Sequence, residues 1–311
     1  MISIIVPCYN EQEALPLFHK EITRVLQEMG ESYELLLVND GSRDSTLDVM
    51  RTLAQEDSHV VYLSFSRNFG KESAMYAGME ASVGEYVVIM DVDLQDPPSL
   101  LPQMLQGIRQ EGYDCVATRR VTRAGEPKVR SFFARMFYRL INRISKTEIV
   151  DGARDFRMMT RQMVESILSL HEVSRFSKGI FSWVGYRTKW LEYENIARVA
   201  GETKWSFWKL LLYSIDGIIG FSTFPLAIAS VVGVLFCVVA FILILFFFFK
   251  TLIWGDPVAG FPATICIILL LGGIQLFCVG ILGQYLSKTY LETKKRPIYI
   301  AREIAGKDQS T

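Results

Sequence analysis

Histidine is nearly absent from this 311-residue chain: His19, His59 and His171 are the three copies, too scattered to form a ligand cluster. Cysteine is scarce as well. Cys8 and Cys115 lie in the polar part, Cys237, Cys266 and Cys278 lie in apolar runs, and no CxxC occurs, which argues against a disulfide framework or a thiolate zinc site. Net charge is also missing, with 33 basic residues against 33 acidic, so nothing pulls the whole chain toward nucleic acid and no such partner is expected. The opening MISIIVPCYNEQ lacks the basic region and the apolar length of a signal peptide. No GxGxxG follows the first β-rich run, which disfavours a dinucleotide-binding Rossmann site. GxxxxGKS is absent too, so the Gly70-Lys71 pair in SRNFGKE does not signal ATP hydrolysis.

Two long segments lack charge altogether. Residues 221–249 carry none, and a second uncharged apolar stretch runs from about Val258 to Leu286. Each exceeds the ~20 residues a helix needs to cross a ~30 Å hydrocarbon core. Two transmembrane helices, over 221–250 and 258–287, are expected. The alternative, buried core helices, normally keeps a polar stripe, and none is visible. The loop KTLIWGDPVAG holds one lysine, whereas Lys204 and Lys209 precede the first span and Lys288, Lys294, Lys295 and Arg296 follow the second. The positive-inside rule then places residues 1–200, the tail 288–311 and both termini in the cytosol, as in a multi-pass protein of the inner membrane.

The first 120 residues alternate β-rich runs with helical patterns. ISIIVP leads to Asn10, which has the spacing of a capping box with Glu13 before a helix across about 11–29. YELLLVND, VVYLSFS, EYVVIMD and YDCVAT read as further strands, separated by helices from about Asp44, over KESAMYAGMEASV and from Pro98. This order predicts an α/β domain, a mostly parallel sheet with helices on both faces. Ligands of such sheets bind at the carboxyl ends of the strands, where Tyr9-Asn10-Glu11, Asn39-Asp40, Arg67-Asn68 and Asp91-Val92-Asp93 all fall. Residues 132–145 place Phe132, Phe133, Met136, Phe137, Leu140, Ile141 and Ile144 on one helical face and Arg135, Arg139 and Arg143 on another. That pattern suits a helix lying in a membrane interface, the alternative being a helix packed on the domain with solvated arginines. The tryptophans of WSFWKLLLYSIDGII, within the juxtamembrane stretch 201–220, favour an interfacial helix.

VVIMDVDLQDPP crowds Asp91, Asp93 and Asp96 into six residues, more negative charge than capping the next helix needs. Side chains two apart at a strand end point to the same side, so Asp91 and Asp93 form a partial oxygen cage for a hard divalent cation. An isolated DxD is as often structural. Here it sits with the other polar strand ends, followed by Gln95.

IVPCYNE, VNDGSRDST, SRNFGKE, DVDLQDPP, ARDFRMM and GETKWSFWKL, in this order and followed by two spans, resemble the polyisoprenyl-phosphate glycosyltransferases of the GT-A fold. That group includes bactoprenol-phosphate glucosyltransferases and, more distantly, dolichol-phosphate mannose synthase. The resemblance covers nearly the whole chain and says little about the sugar. It implies a GT-A nucleotide-sugar-binding domain followed by interfacial helices and two spans. The implied reaction transfers one sugar from a nucleotide diphosphate to the phosphate of a membrane polyprenol such as undecaprenyl phosphate, with inversion. UDP-glucose is the common donor of the group, while N-acetylglucosamine or galactose needs only a few changed contacts. By position, Pro7, Tyr9, Asn10, Glu11, Asp40 and Lys71 are implied for nucleotide-sugar binding, and Asp91, Asp93 and Gln95 for Mg²⁺ or Mn²⁺ and the diphosphate. Asp155 is implied beside the reaction centre, Arg119 and Arg130 at the acceptor phosphate, and Arg198 and Lys204 in a basic loop over the diphosphate.

A metal and basic side chains suit the charge that develops on a departing nucleoside diphosphate. The acceptor is a phosphate monoester, with a second pKa near ~6, and needs no strong general base. Asp155 then positions a group or stabilises positive charge at the sugar; the alternative is a plain salt bridge to Arg154 or Arg157. Asp151, an additional acid, leaves open which of the two carboxylates is active. Two other functions compete. A processive polysaccharide synthase shares the nucleotide-sugar domain but resembles a pattern with QxxRW and more spans, neither present here. A catalytically silent membrane scaffold is the other. Self-association is compatible with two spans.

Overall fold

The computed structural model describes residues 1–120, 142–143, 150, 152–193, 218–220, 222–254 and 261–305. Arg130, Asp151, Arg198, Lys204, most of 132–145 and 201–220, and the end of the tail lie outside the described residues. In chain order the elements are β1 (Ile2–Cys8), α1 (Ala14–Met29), β2 (Tyr33–Asn39), α2 (Thr46–Glu56), β3 (Val60–Phe65), α3 (Lys71–Ala81) and β4 (Tyr86–Ile89). After a 3₁₀ turn at Pro98–Leu100 come α4 (Leu101–Arg109), β5 (Cys115–Arg120), β6 (Ala153–Thr160), α5 (Arg161–Leu168), α6 (Ser177–Trp183) and β7 (Thr188–Tyr193). Two long helices, α7 (Phe224–Trp254) and α8 (Phe261–Thr293), and a last strand, β8 (Ala301–Ala305), complete the chain.

The strands form one sheet in the order β7-β5-β6-β4-β1-β2-β3-β8. β1 runs parallel to β2 and β4, β2 to β3 and β5 to β7, while β6 is antiparallel to β4 and β5, and β8 to β3. The central strands are apolar on both faces because helices cover both. Ile2, Ile4, Val6, Leu35, Leu37 and Val88 pack with α1, α2 and α4 on one side. Ile5, Leu36, Val38, Val87 and Ile89 pack with α3, α5 and α6 on the other. Burying each such branched side chain contributes about 1.5–3 kcal/mol before the entropy of ordering is set against it.

Several expectations are corrected. The Asn10–Glu13 capping box does not form: α1 begins at Ala14, and no side chain caps its first turn. Asn10 instead takes a left-handed backbone, φ 56°, that turns the chain out of β1. The stretch after the second apolar run also adds to the fold. α8 continues to Thr293, and β8 then returns to the sheet edge. There Ser66 N donates to Ile300 O at 3.0 Å, and Glu303 pairs with Arg51 at 2.6 Å. The helices α7 and α8 are long and apolar enough to cross a membrane, and their described large apolar side chains are mostly exposed, which removes the core-helix alternative.

Candidate active site

The carboxyl ends of β1, β2, β3 and β4 open on one edge of the sheet. β6 is antiparallel, so its start meets the same edge: Ile89 of β4 pairs with Arg157, which brings Arg154 and Asp155 opposite the chain beyond β4. Arg120 pairs in register with Tyr193, so β5 and β7 also end there. The expected convergence of polar strand ends is present, enlarged by two strands that the alternating pattern of the first 120 residues did not include.

On the β1–β3 side, polar side chains are spent on neighbouring loops. Asn10 Oδ1 accepts from Arg43 N at 2.9 Å, Asn10 N donates to Ser42 Oγ at 3.0 Å, and Glu11 N donates to Thr46 Oγ1 at 2.8 Å. Asp40 is buried, and its carboxylate accepts from Phe69 N at 2.6 Å and Gly70 N at 3.0 Å, which fixes the turn leading to Lys71. Burial pushes the Asp40 carboxyl up, and the two amide bonds oppose that shift. The β2 and β3 loops touch so closely that a Cβ on Gly41, whose φ is +62°, would lie 2.3 Å from the Arg67 carbonyl carbon. Pro7 stays in β1 opposite Val38, and Tyr9 lies half-buried just beyond it.

On the β4–β6 side, charges face charges. Asp91 and Asp93 lie just past the strand end, where strand alternation no longer sets their directions: β4 ends at Ile89, and the acids sit in a turn that Leu94 closes with φ 54°. Gln95 N donates to Asp93 Oδ1 at 3.2 Å inside this turn. Lys71, the first residue of α3, bridges two acids, with Nζ 2.6 Å from Asp91 Oδ1 and 2.5 Å from Asp155 Oδ2. The partner of Asp155 is therefore Lys71, not the carboxylate-binding heads of Arg154 or Arg157. Arg157 lies beneath, donating through Nε to the Asp155 carbonyl at 3.3 Å and through Nη2 to the Arg154 carbonyl at 2.9 Å.

Burial alone would raise the Asp155 carboxyl, but the positive charges of Lys71 and Lys178 hold it well below the usual carboxylate range. Burial likewise opposes the charge on Lys71, and Asp155 with Asp91 overcomes it, keeping the ammonium fully protonated. The third acid of the cluster has another task. Asp96 is fully buried and accepts from the Tyr193 hydroxyl and from Arg154 Nε at 3.1 Å, while Arg154 Nη2 stands 4.0 Å from Asp91 Oδ2. Burial pushes the Asp96 carboxyl up and the Tyr193 phenol to about 12.

The two arginines at the end of β5 diverge. Arg119 pairs with Glu192 on the adjacent strand, whereas Arg120 Nη2 donates to Gln95 Oε1 at 2.9 Å. Arg120, Tyr193 and Lys178 were missed in the sequence, and Arg154 was read there only as an alternative partner of Asp155. ARDFR holds Arg154 in plain view, but nothing local says that β6 runs backwards into the site, and Tyr193 and Lys178 carry no motif at all.

The chemistry available is electrostatic: acids that hold the heads of Lys71 and Arg154, one carboxylate held ionised, and guanidinium groups around them. Residues 3–168 match the sequence model of the family described as glycosyl transferase family 2. Over 303 residues the chain is 42% identical to a prophage bactoprenol glucosyl transferase homolog of Escherichia coli strain K12, covering 97% of this chain and 99% of that protein. It is 41% identical over 301 residues to the bactoprenol glucosyl transferase of Shigella phage SfX, covering 97% and 98%. A mannosyl-3-phosphoglycerate synthase from Rubrobacter xylanophilus superimposes with a TM-score of 0.49 at 17% identity, over 70% of this chain and 71% of that one.

Proposed function

The chain belongs to glycosyl transferase family 2, and we propose that it moves one glucose from UDP-glucose to the phosphate of a polyprenol, undecaprenyl phosphate, at the cytoplasmic face of the inner membrane. The observation that supports this reading most is the extent of the kinship. The bactoprenol-directed relatives align over 97% of the chain, through both apolar helices and not over the nucleotide-sugar domain alone.

The residues fit a divalent cation. Asp91 and Asp93 offer hard oxygens, and Asp91 already draws a cationic head to 2.6 Å. Among the described residues no third acidic, histidine or cysteine side chain completes a protein cage. That donor set suits Mg²⁺ or Mn²⁺ bound by one or two carboxylates with substrate phosphates in the remaining positions, Gln95 assisting. Such an ion, when bound, acts as a Lewis acid on the departing diphosphate.

The rest is the work of the chain. Pro7, Tyr9, Asn10, Glu11 and Asp40 shape the nucleotide end of the site, rigid because their loops are tied together. Lys71 and Arg154 set a positive potential at the acid cluster, where negative charge grows as the diphosphate leaves. Arg198 and Lys204 extend it from the segment after β7. Asp155, kept ionised, stabilises the oxocarbenium-like sugar or orients the acceptor. Arg119 and Arg130 receive the acceptor phosphate, whose second pKa near ~6 leaves it largely ionised at neutral pH. One bond breaks, from the anomeric carbon to the diphosphate oxygen. One forms, from that carbon to the acceptor phosphate on the opposite face, with inversion and release of UDP. Positive flanks on both apolar helices favour cytosolic termini, with only the segment near 251–260 outside. Self-association through the membrane helices is compatible with this arrangement.

The test is incubation of the purified protein with undecaprenyl phosphate and radiolabelled UDP-glucose, UDP-galactose and UDP-N-acetylglucosamine in turn. Label entering the lipid phase from UDP-glucose alone is the expected result. No lipid-phase label from any donor overturns the reading, and label from another donor overturns the choice of sugar.

A further inference from the structure

Lys71 occupies a peculiar position for a residue that binds a diphosphate. Its ammonium lies 2.6 Å from Asp91 Oδ1, one of the two oxygens that this carboxylate offers a divalent cation, and 2.5 Å from Asp155 Oδ2. Two cations at one carboxylate repel each other, so the Lys71 contact opposes the binding of a metal to Asp91. The other positive neighbour of Asp91 is built differently. Arg154 is only 4.0 Å from Asp91 Oδ2, and its Nε is fixed at 3.1 Å by Asp96, which is fully buried.

Lys71 is held by less buried partners. Asp91 and Asp155 are 23% and 19% exposed, against 1% for Asp96, and Lys71 stands at the start of α3 immediately after Gly70, whose φ is 98°. A four-carbon stem with a compact head reorients more freely than a guanidinium anchored on a fully buried carboxylate. Its second partner, Asp155, keeps the head tethered when the first is lost.

We propose that Lys71 is an exchangeable counterion: its ammonium neutralises Asp91 until a divalent cation takes that carboxylate, and the released head then turns to the diphosphate of the donor. The idea rests on the reading of Asp91 as a metal ligand given above. It assigns Lys71 two effects of opposite sign. Lys71 competes with the metal when it binds alone, and it assists the diphosphate when metal and nucleotide bind together. A lysine that served only as a diphosphate ligand would show the second effect without the first, and a merely structural ion pair would show neither.

The experiment measures Mn²⁺ binding to the full-length protein in detergent, from the loss of the free-ion paramagnetic resonance signal, with and without UDP. Lys71→Met and Lys71→Gln are compared with wild type, and Lys71→Arg retains the charge. Both neutral variants are expected to bind Mn²⁺ alone about tenfold more tightly, and to bind UDP in the presence of Mn²⁺ about tenfold more weakly, each near 1.4 kcal/mol. Lys71→Arg should bind Mn²⁺ no more tightly than wild type. Unchanged or weakened Mn²⁺ affinity in both neutral variants overturns the exchange while leaving the metal assignment standing. Wild-type protein that binds no Mn²⁺ even with UDP overturns the metal assignment and the exchange with it.

Discussion

Along one edge of the same sheet, the ends of β1–β3 and the ends of β4–β6 use polar residues in contrasting ways. In the first region Asn10, Asn39 and Asp40 accept from backbone amides of Arg43, Ser42, Phe69 and Gly70. In the second, Asp91, Asp155 and Asp96 take the charged heads of Lys71 and Arg154. An amide cannot leave its acceptor unless a loop moves, whereas a lysine head can. The first region is therefore a cradle of fixed shape and the second an electrostatic site whose partners change with the ligand. Substitutions should cost stability in the cradle and turnover in the charged region.

The largest effect belongs to Asp155→Asn. Turnover should fall by roughly 10³-fold, about 4 kcal/mol of barrier, while the thermal midpoint falls only by the loss of the Lys71 pair and the protein stays folded at the assay temperature. Steady-state rates and thermal unfolding on the same preparation check this. The pH profile adds a second reading. Because the Asp155 pKa is depressed, its stabilising pair is complete above the unfolded value near ~3.9 and is lost only as pH falls further, through the folded value. Any acid limb near pH ~6 then belongs to the acceptor phosphate. Asp155→Glu should leave that limb in place.

Asp40→Ala should cost about 3 kcal/mol of unfolding free energy in a denaturant titration, since two amides lose their buried acceptor at ~1–3 kcal/mol each. A loss of activity without loss of stability would place Asp40 in the charged region's category. Next comes Arg130→Ala, with an acceptor KM raised roughly 10–150-fold for a contact of ~1.5–3 kcal/mol, donor KM unchanged, and partial recovery in Arg130→Lys. Kinetics with each substrate varied separately decide it. The smallest effect is that of Tyr193→Phe. Removing one hydroxyl from Asp96 should lower turnover about fivefold, or ~1 kcal/mol, because Arg154 still holds the acid.

The two regions also differ in how well they could be read. The cradle follows from local signals: apolar runs that end in Tyr9-Asn10-Glu11 and Asn39-Asp40 are strand ends, and parallel strands separated by helices open on one edge. The charged region depends on a reversal. β6 is antiparallel, and only this brings Arg154 and Asp155 to Asp91; no period or turn in ARDFRMM reports strand direction. Position in the family pattern pointed to Asp155 and Lys71 separately, yet their 2.5 Å contact joins residues 84 positions apart. Asp96 before two prolines reads as a helix start, and its burial under Arg154 and Tyr193 is visible only in three dimensions. The edge strand β8 was hidden for another reason. AREIA carries two charges in five residues and is mostly exposed, and its pairing rests on partners far back in the chain, Arg51, Tyr62 and Ser66. The apolar helices needed nothing but composition.

The central claim is direct transfer of one glucosyl group to a lipid phosphate with inversion, and the anomeric configuration of the product tests it most directly. Purified protein, UDP-α-glucose and undecaprenyl phosphate in mixed micelles should give a glucosyl phosphodiester whose proton and phosphorus resonances report the β-anomer alone, with one UDP released per lipid glucosylated. An α-linked product, or UDP release accompanied by free glucose and unmodified lipid, would contradict the account.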